Sequence, residues 1–317
     1  MYLYRVLIAL VLLAGIAVYL DNNPNGRDPL TFATNHWLGY EPLYVAKDIG
    51  IVDESQLKIF TLTSTTEVFR ALSHGAVDGA ALTMDEALIL ANEGLSLRIV
   101  GVADISNGAD AVLLSNRHAP DATLEGMRIG YEGNVLGAYM VARMLEKKGL
   151  SLLDVALIEA APHEHAELLA EGSVDAVVTY EPFVTRLKND THTIFTSKDI
   201  PGEIVDVLVV PEQYHKPAHI SHLLDVWQQG VDNILADNQQ VLSDVARRHQ
   251  LPLEDVRLAL NDIAFPNTGS EHQLAMFVDS EQLTRTARRV WQVMQHVGLG
   301  PKMSRMPVVN IDLEGGQ

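Results

Sequence analysis

The same succession of strands, loops and helices runs through the chain twice, at an offset of 97 residues, and this duplication restricts the fold more than any other feature. Thr31–Asn35 and Arg128–Glu132 are each predicted to form a strand that leads into a glycine-containing loop and then a helix. Residues 71–78 (ALSHGAVD) and 168–175 (LLAEGSVD) each end a helix and precede a further strand. Because strands that alternate with helices of about 10 residues form βαβ units, the pattern predicts an α/β protein with two similar lobes. Ligands of such sheets bind beyond the strand ends, so a cleft between the lobes is the expected binding place.

The pattern changes beyond Val210, where residues 218–298 have the periodicity of helices. Trp227 and Trp291 occur there at spacings typical of core residues. We expect these helices to cover the first lobe, so that the chain leaves that lobe and later returns to it. The predicted division assigns residues 28–115 and 206–317 to lobe 1 and residues 116–205 to lobe 2, with a hinge of two segments.

Residues 1–20 are predicted to be a targeting segment. After Arg5 comes an uncharged apolar run of 15 residues, Val6–Leu20. This run is short for a membrane span, which needs roughly 20 residues, and is typical of a signal peptide with a small-residue cleavage site at residues 15–17. The alternative is an uncleaved anchor in the inner membrane, since residues 1–4 extend the apolar length. Either interpretation places the body of the protein in the periplasm.

The composition excludes several classes of function. With 41 Asp and Glu against 23 Lys and Arg, the formal net charge is −18, which argues against a nucleic-acid partner. The chain has no cysteine, so disulfides, thiol catalysis and a lipoprotein anchor are excluded. His163 and His165 suggest a metal site, but residues two apart on a helix point about 200° away from each other. No catalytic motif occurs in a supporting context, so we predict no catalytic residue, metal or cofactor.

Five segments, in this order and spacing, resemble one protein family. They are WLGYEPLYVAKDIGIV (37–52), RALSHGAVDGAALTMDEAL (70–88), GVADISNGADAVLLS (101–115), IGYEG (129–133) and LLAEGSVDAVVTYEPF (168–183). The sequence is similar to the substrate-binding components of ABC importers for nitrate, sulfonates, taurine and thiamine-pyrimidine precursors. The resemblance covers residues 30–210. It implies a two-lobe periplasmic binding protein of the Venus-flytrap type, a monomer that closes on a small molecule and delivers it to a membrane permease.

Two alternatives remain beside the importer interpretation. The chain can be a membrane-tethered domain that senses a ligand without transport, if the N-terminal segment is retained. It can also be an enzyme on the same fold. The pyrimidine-synthesising branch of the superfamily uses a cysteine-rich iron motif that this chain lacks, and the chorismate-dehydrating branch does not agree with an export signal.

The resemblance implies that the strand-end loops hold the ligand. The corresponding residues here are His36, Trp37, Gly39, Tyr40, Ser64, Thr65, Thr66, Thr83 and Met84 in lobe 1, and Tyr131, Glu132, Gly133, Asn134, Tyr180 and Glu181 in lobe 2. Asp110 is a weaker candidate. Ser64, Thr83 and Glu181 have an alternative role as helix caps, and Asp78 and Asp175 are expected to fix turns.

These loops contain aromatic and acidic residues, Glu41 among them, but no Arg or Lys. A bare anion such as nitrate would need cations or free helix N-termini. Aromatic faces with carboxylates suit a cationic, zwitterionic or heterocyclic ligand. We therefore predict a small organic nitrogen- or sulfur-containing solute, for example a taurine-like zwitterion or a pyrimidine precursor. Replacement of Trp37 or Tyr180 by Ala is predicted to weaken binding by more than about 1 kcal/mol.

Overall fold

The computed structural model describes residues 28–266, 280–298 and 305–313. The predicted signal peptide or anchor, residues 1–20, lies outside the described residues. Within the described part of the chain, no helix is both long and apolar enough to cross a membrane.

The described residues form strands and helices that alternate over much of the chain, except that β4, β5 and β6 follow one another without a helix between them. In chain order the strands are β1 (Leu30–Thr34), β2 (Leu57–Thr61), β3 (Gly79–Thr83), β4 (Leu97–Ser106), β5 (Asp110–Ser115), β6 (Arg128–Tyr131), β7 (Ala156–Glu159), β8 (Ala176–Tyr180), β9 (Thr191–Thr196), β10 (Val205–Pro211), β11 (Ile263–Ala264) and β12 (Asn310–Ile311). The α-helices are α1 (Glu41–Asp48), α2 (Thr65–Ser73), α3 (Met84–Asn92), α4 (Val135–Lys147), α5 (His165–Glu171), α6 (Phe183–Leu187), α7 (Pro217–Leu235), α8 (Gln239–His249), α9 (Leu253–Asn261) and α10 (Ser280–His296).

Local sequence sets the points at which the helices begin. Pro42 lies in the first turn of α1, where its missing N–H leaves no bond unmade. Ser64 Oγ accepts a hydrogen bond from the Glu67 N–H at 3.2 Å and so caps α2. Asn134 Oδ1 accepts one from the Gly137 N–H at 2.8 Å and caps α4. These helices begin soon after a strand ends, which gathers polar residues at the strand ends.

The strands form two mixed sheets. The seven-stranded sheet has the order β11-β4-β10-β3-β1-β2, with β12 beside β4, and the five-stranded sheet has the order β7-β6-β8-β5-β9. In the first sheet β1 is parallel to β2 and β3, whereas β10 is antiparallel to β3 and β4. In the second sheet β6 is parallel to β7 and β8, whereas β5 is antiparallel to β8 and β9. The sheets are therefore less parallel than the strand–helix alternation predicts, because the strand that enters each lobe from the other runs against its neighbours.

The chain crosses between the sheets at residues 107–109 and again at residues 197–204. Because β5 pairs with β8 and β9, residues 110–115 belong to the second sheet. The predicted boundary at residue 116 therefore falls one strand too late. Two apolar strands joined by a short loop suggest neighbours in one sheet, but here the chain passes directly from one sheet into the other.

The C-terminal helices pack on the first sheet. Trp227 of α7 lies in the same buried cluster as Leu30 of β1. A Cβ on Gly230 of α7 would come within 1.9 Å of the Pro42 carbonyl oxygen, so the close approach of α7 to α1 requires a residue without a side chain. On the other face, Trp291 of α10 packs into the cluster that contains α3. Both tryptophans are buried, as their spacing predicted.

The internal repeat has a structural counterpart in one pair of acids. Asp78 Oδ2 accepts hydrogen bonds from the Thr31 N–H at 3.0 Å and the Thr31 hydroxyl at 2.7 Å. Asp175 Oδ2 accepts bonds from the Arg128 N–H at 2.9 Å and from Nε of the same residue at 3.0 Å. In each lobe the acid ties the turn after a helix to the first strand of the repeat. The prediction that these two acids fix turns is confirmed.

Candidate ligand-binding site

A pocket with a volume of about 300 Å³ lies between the two sheets, and we call it the inner pocket. Lobe 1 lines it with Asn35, Trp37, Tyr40, Thr65, Thr83 and Asp206. The crossover segments and lobe 2 contribute Asp110, Leu136, Tyr180 and Ile204. None of these lining residues, all in the described part of the chain, is Lys or Arg, so the charge that the pocket wall carries is acidic.

Strand register gathers the polar residues of this pocket. In lobe 1, Asp206 of β10 pairs with Thr83, the last residue of β3. In lobe 2, Asp110, the first residue of β5, pairs with Tyr180, the last residue of β8. The register between β10 and β4 shifts around Asp206, which lies close enough to Asp104 of β4 for the two carboxyl groups to interact. Antiparallel pairing of the crossover strands thus brings acids from both lobes to one place.

The acids of this region are deeply buried. Asp85, Glu86, Asp104, Asp110 and Asp206 are each exposed by 4% or less. Burial raises the pKa of Asp85 to about 6, that of Asp110 to about 7 and that of Asp104 to about 8. Burial, and then the neighbouring Asp104 carboxylate, raises the pKa of Asp206 well above its ordinary value. Burial, and then the Asp85 carboxylate, does the same to the pKa of Glu86. Such a cluster of buried acids is stabilised by protonation or by a bound cation.

Several buried oxygens of the cluster have no hydrogen-bond partner within the described ranges. They are Oδ2 of Asp85, Oδ1 of Asp104, Oδ1 of Asp206 and Oε2 of Glu132, together with the hydroxyl oxygens of Thr83, Thr179 and Tyr180. Buried polar atoms are paired in most native structures, because an unpaired one forfeits its hydration. A concentration of unpaired oxygens from both lobes therefore indicates a place for a polar ligand with hydrogen-bond donors.

The aromatic wall of the inner pocket is built around Trp37. Its indole Nε1–H donates to Asp104 Oδ2 at 3.0 Å, and its ring meets the edge of Tyr180 with a centroid distance of 5.9 Å. A Cβ on Gly39 would lie 2.1 Å from the indole nitrogen and 2.2 Å from the Asp104 carboxylate. Gly39 thus makes room for the contact between Trp37 and Asp104, rather than facing a ligand itself.

A second pocket opens beside the first on the lobe 2 side. Glu132 Oε1 accepts hydrogen bonds from the Thr66 N–H at 2.9 Å and from the Thr66 hydroxyl at 3.2 Å, which joins the two lobes. Glu132 also lines a pocket of about 270 Å³, which we call the lobe 2 pocket. This pocket shares Asp110, Leu136 and Tyr180 with the inner pocket, so the two lie side by side.

The predicted site residues divide among several places. The inner pocket is lined by Trp37, Tyr40, Thr65, Thr83 and Tyr180, and the lobe 2 pocket by Glu132 and Asn134. Thr66, Tyr131 and Gly133 line a side pocket of about 900 Å³, to which Asn134 also contributes. His36 is exposed and lines an outer pocket of about 1040 Å³ together with Arg186 and His249.

Other predicted residues have structural roles. Met84 is 1% exposed and packs in the hydrophobic core, because α3 begins at this residue and turns its side chain away from the strand end. Ser64 caps α2, as its alternative interpretation held. The Glu181 carboxylate accepts from the Thr185 N–H at 3.1 Å and hydroxyl at 2.9 Å, so it stabilises α6. The Glu41 carboxylate pairs with Arg248, whose Nη2 lies 3.0 Å from Oε2, and its Oε1 lies 2.6 Å from His249 Nε2.

Sequence reasoning missed the most buried acids of the site. Asp104 and Asp206 interrupt the apolar runs VADIS and IVDVLVV, where a charged residue in a buried strand is unfavourable unless it has a partner or a function. These two isolated charges in apolar runs are therefore visible in the sequence as candidate functional residues. Asp85 and Glu86 were assigned to the capping box after Thr83, and Glu86 Oε2 does accept from the Thr83 N–H at 3.1 Å.

Comparison with known proteins agrees with this architecture. The model of the NMT1-like family matches residues 23–247. No curated protein sequence matches the chain. The alkanesulfonate-binding protein SsuA from Xanthomonas axonopodis pv. citri, solved with MOPS, is similar with a TM-score of 0.73 at 18% identity, over 87% of this chain and 96% of that one.

Two further solved structures extend the likeness. The aliphatic sulphonate-binding protein SsuA from Escherichia coli has a TM-score of 0.69 at 16% identity, over 87% of this chain and 94% of that one. The nitrate-binding protein NrtA from Synechocystis PCC 6803 has a TM-score of 0.59 at 14% identity, over 73% of this chain and 69% of that one. All three are described as binding proteins. The periplasmic binding protein fold predicted from the sequence, and the family resemblance behind it, are confirmed.

Proposed function

The chain belongs to the NMT1-like family, and on that premise we propose that it is the extracytoplasmic solute-binding component of an ABC importer, with a small nitrogen-containing organic cation as its ligand. The two lobes close around the solute and present it to a permease in the inner membrane. The inner pocket between β3, β5, β8 and β10 is the binding place.

The proposal of a cationic ligand rests on one observation. Asp104 and Asp206 are 0% and 4% exposed, and each keeps a carboxylate oxygen that no described residue partners. An isolated buried carboxylate is unfavourable, and it is stabilised by a bound cation or by a proton. Trp37, Tyr40 and Tyr180 add aromatic surfaces, which attract organic cations through their ring electrons.

The same residues argue against an anionic solute. The alkanesulfonate- and nitrate-binding proteins of the same fold are described as binding anions. Recognition of a sulfonate or nitrate needs Arg, Lys or free backbone N–H donors. In the inner pocket a sulfonate would instead meet the carboxyl groups of Asp110 and Asp206, which offer it no positive charge and repel it when they are ionised. Proteins that share a fold can bind different ligands, so the ligand class has to be inferred from the residues that line the pocket.

A thermal-shift screen of the purified protein tests this function. The panel contains organic amines, heterocyclic amines, amino acids, sulfonates and nitrate at equal concentration and ionic strength. An organic cation present at 100 times its Kd should raise the free energy of unfolding by about 2.7 kcal/mol, and Asp206→Asn should remove most of that gain. Asp225→Asn, on the exposed face of α7, is the control and should leave the gain unchanged. Stabilisation by sulfonates or nitrate alone would contradict the proposed ligand class.

A further inference from the structure

We infer that the ligand is a dication, with two amine-type cationic groups joined by a short apolar chain. One group binds at Asp104 and Asp206 in lobe 1, and the other binds at Glu132 in lobe 2. The inference rests on the proposed function and deepens it, because it states how many charges the solute carries and which lobe binds each of them.

The acids with unpaired oxygens fall into two groups on opposite lobes. Asp104 and Asp206 belong to β4 and β10 of the first sheet. Glu132 follows β6 of the second sheet, and its Oε1 is engaged by Thr66 while its Oε2 has no partner in the described part of the chain. A single ammonium group can satisfy one of these places at a time. A ligand with a cationic group at each end can pair with both acidic places at once.

The two places lie beside each other and share part of their lining. The inner pocket, of about 300 Å³, and the lobe 2 pocket, of about 270 Å³, share Asp110, Leu136 and Tyr180. Because the two pockets share these lining residues, a short extended molecule could reach from one to the other. The Leu136 side chain and the Tyr180 ring would contact its methylene groups, and Asp110 would lie between its two charges.

Hydroxyl groups along the same path provide a second, independent sign of a ligand. The Oη atom of Tyr180 and the Oγ1 atoms of Thr83 and Thr179 have no hydrogen-bond partner among the residues described. All three residues are at least nine-tenths buried. Tyr180 lines both pockets, whereas Thr83 lines the inner pocket and Thr179 the lobe 2 pocket. Hydroxyl oxygens accept hydrogen bonds from ammonium N–H groups, and each end of a diamine has more than one N–H to give.

An inorganic dication fits the same charge less well. Within residues 28–266, 280–298 and 305–313, no group of three or more His, Asp or Glu residues has a metal-binding arrangement. The acids are spread over two pockets, and aromatic rings line the space between them. Oxygen ligands for a hard cation must instead converge on one point.

Isothermal titration of the purified protein with two matched series tests the inference. One series contains linear α,ω-diaminoalkanes, and the other contains 1-aminoalkanes of the same chain lengths, with calcium chloride as a separate probe. A diamine of one preferred length should bind roughly ten- to a hundredfold more tightly than the matching monoamine, as expected for one added charge-assisted hydrogen-bonded contact. Glu132→Gln should reduce that ratio, since Gln keeps the oxygen that accepts from Thr66 but loses the charge. Asp225→Asn should leave the ratio unchanged.

The outcomes separate this inference from the function on which it rests. Equal affinity for diamines and monoamines would overturn the dication while leaving an organic cation as the solute. Binding of calcium more tightly than any diamine would also overturn it. Binding of sulfonates with no response to either amine series would overturn the proposed function together with the inference. The wild-type series decides the question even if a variant does not fold.

Discussion

Trp37 and Asp104 meet at a point where only a glycine leaves enough space. The indole N–H donates to the carboxylate at 3.0 Å, and a Cβ at Gly39 would lie within 2.2 Å of both groups. This contact fixes one oxygen of Asp104 and leaves the other, Oδ1, without a partner in the described residues. A short-range steric requirement thus orients the acid that we assign to the ligand.

Gly39→Ala should therefore weaken ligand binding and destabilise the protein by about 1–3 kcal/mol, the usual range for overpacking a filled site. Chemical denaturation gives the stability change, and titration with the best organic cation gives the affinity. Trp37→Phe keeps the space but removes the N–H, and should reduce affinity with a smaller loss of stability. Unchanged affinity in Gly39→Ala would show that the geometry at Asp104 has no part in binding.

The raised pKa values predict a pH dependence. The pKa of an unfolded Asp is about 3.9, whereas burial raises the pKa of Asp85, Asp110 and Asp104 to about 6, about 7 and about 8. Above about pH 4 the folded protein then binds more protons than the unfolded chain, so the contribution of these groups to stability is fully present below about pH 4 and falls as the pH rises from there to about 6 to 8, where the folded groups ionise. An organic cation compensates the charge that appears, so its stabilising effect should grow over the same range.

Thermal unfolding at about pH 6 and about pH 8.5, with and without the best amine, checks this prediction. The shift in melting temperature caused by the amine should be larger at the higher pH, where the carboxyl groups are ionised and the amine is still charged. Asp104→Asn should reduce the difference between the two conditions. A larger amine effect at about pH 6 would contradict the assignment of these acids to a cation.

Much of the candidate site at this scale follows from sequence, but its acids do not. Apolar patterns reveal strands, and the inner pocket is lined by residues at or just beyond the ends of those strands: Trp37, Tyr40, Thr65, Thr83 and Tyr180. The partners of a residue inside a strand depend on sheet register, which no local pattern states. The sequence therefore shows Asp104 and Asp206 as isolated charges in strands, but it does not predict that they lie together in the site.

At the scale of elements, the two crossover segments are held together by two serines. Ser106 Oγ and Ser197 Oγ lie 2.7 Å apart, and Ser197 Oγ accepts from the Gly108 N–H at 2.6 Å. Ser106 Oγ also accepts from the Asp110 N–H at 3.0 Å. The two crossovers are thus joined by hydrogen bonds at the residue where β5, and with it an acid of the site, begins.

Ser197→Ala should leave the buried Gly108 N–H without this acceptor and lower stability by about 1–3 kcal/mol. Because the same change loosens the start of β5, affinity for the organic cation should fall as well. Chemical denaturation and titration measure the two effects. Ser221→Ala, at an exposed position of α7, is the control and should stay within about 0.5 kcal/mol of the wild type. A stable Ser197→Ala protein with normal affinity would rule out this role for the hinge serines.

The order of elements was largely predictable from the repeat, and the crossing points were not. Strand–loop–helix patterns recur at an offset of 97 residues and give both lobes their first strands, β1 and β6. The direction in which β5 and β10 enter a sheet depends on contacts between segments roughly 60 to 115 residues apart. The sequence around Asn107 therefore suggested a loop within one sheet, and the structure has a passage between two.

At the scale of the whole molecule, the charges explain why closure and ligand binding should be linked. Asp206 on lobe 1 and Asp110 and Glu132 at lobe 2 converge where the lobes meet. Bringing like charges together in a buried place is unfavourable, and a cation between them removes the repulsion. The direct bonds from Thr66 to Glu132 then add to the closed arrangement. A ligand that favours one conformation in this way shifts the balance towards it.

The most direct test of this account is a crystal structure of the protein with the best-binding organic cation. We predict the ligand in the inner pocket, with a cationic nitrogen about 2.7–2.9 Å from carboxylate oxygens of Asp104 and Asp206, and with its carbon chain against Tyr180. A cation found in the outer pocket beside His36, or an anion held in the inner pocket, would contradict the central claim that buried acids between the lobes select the solute.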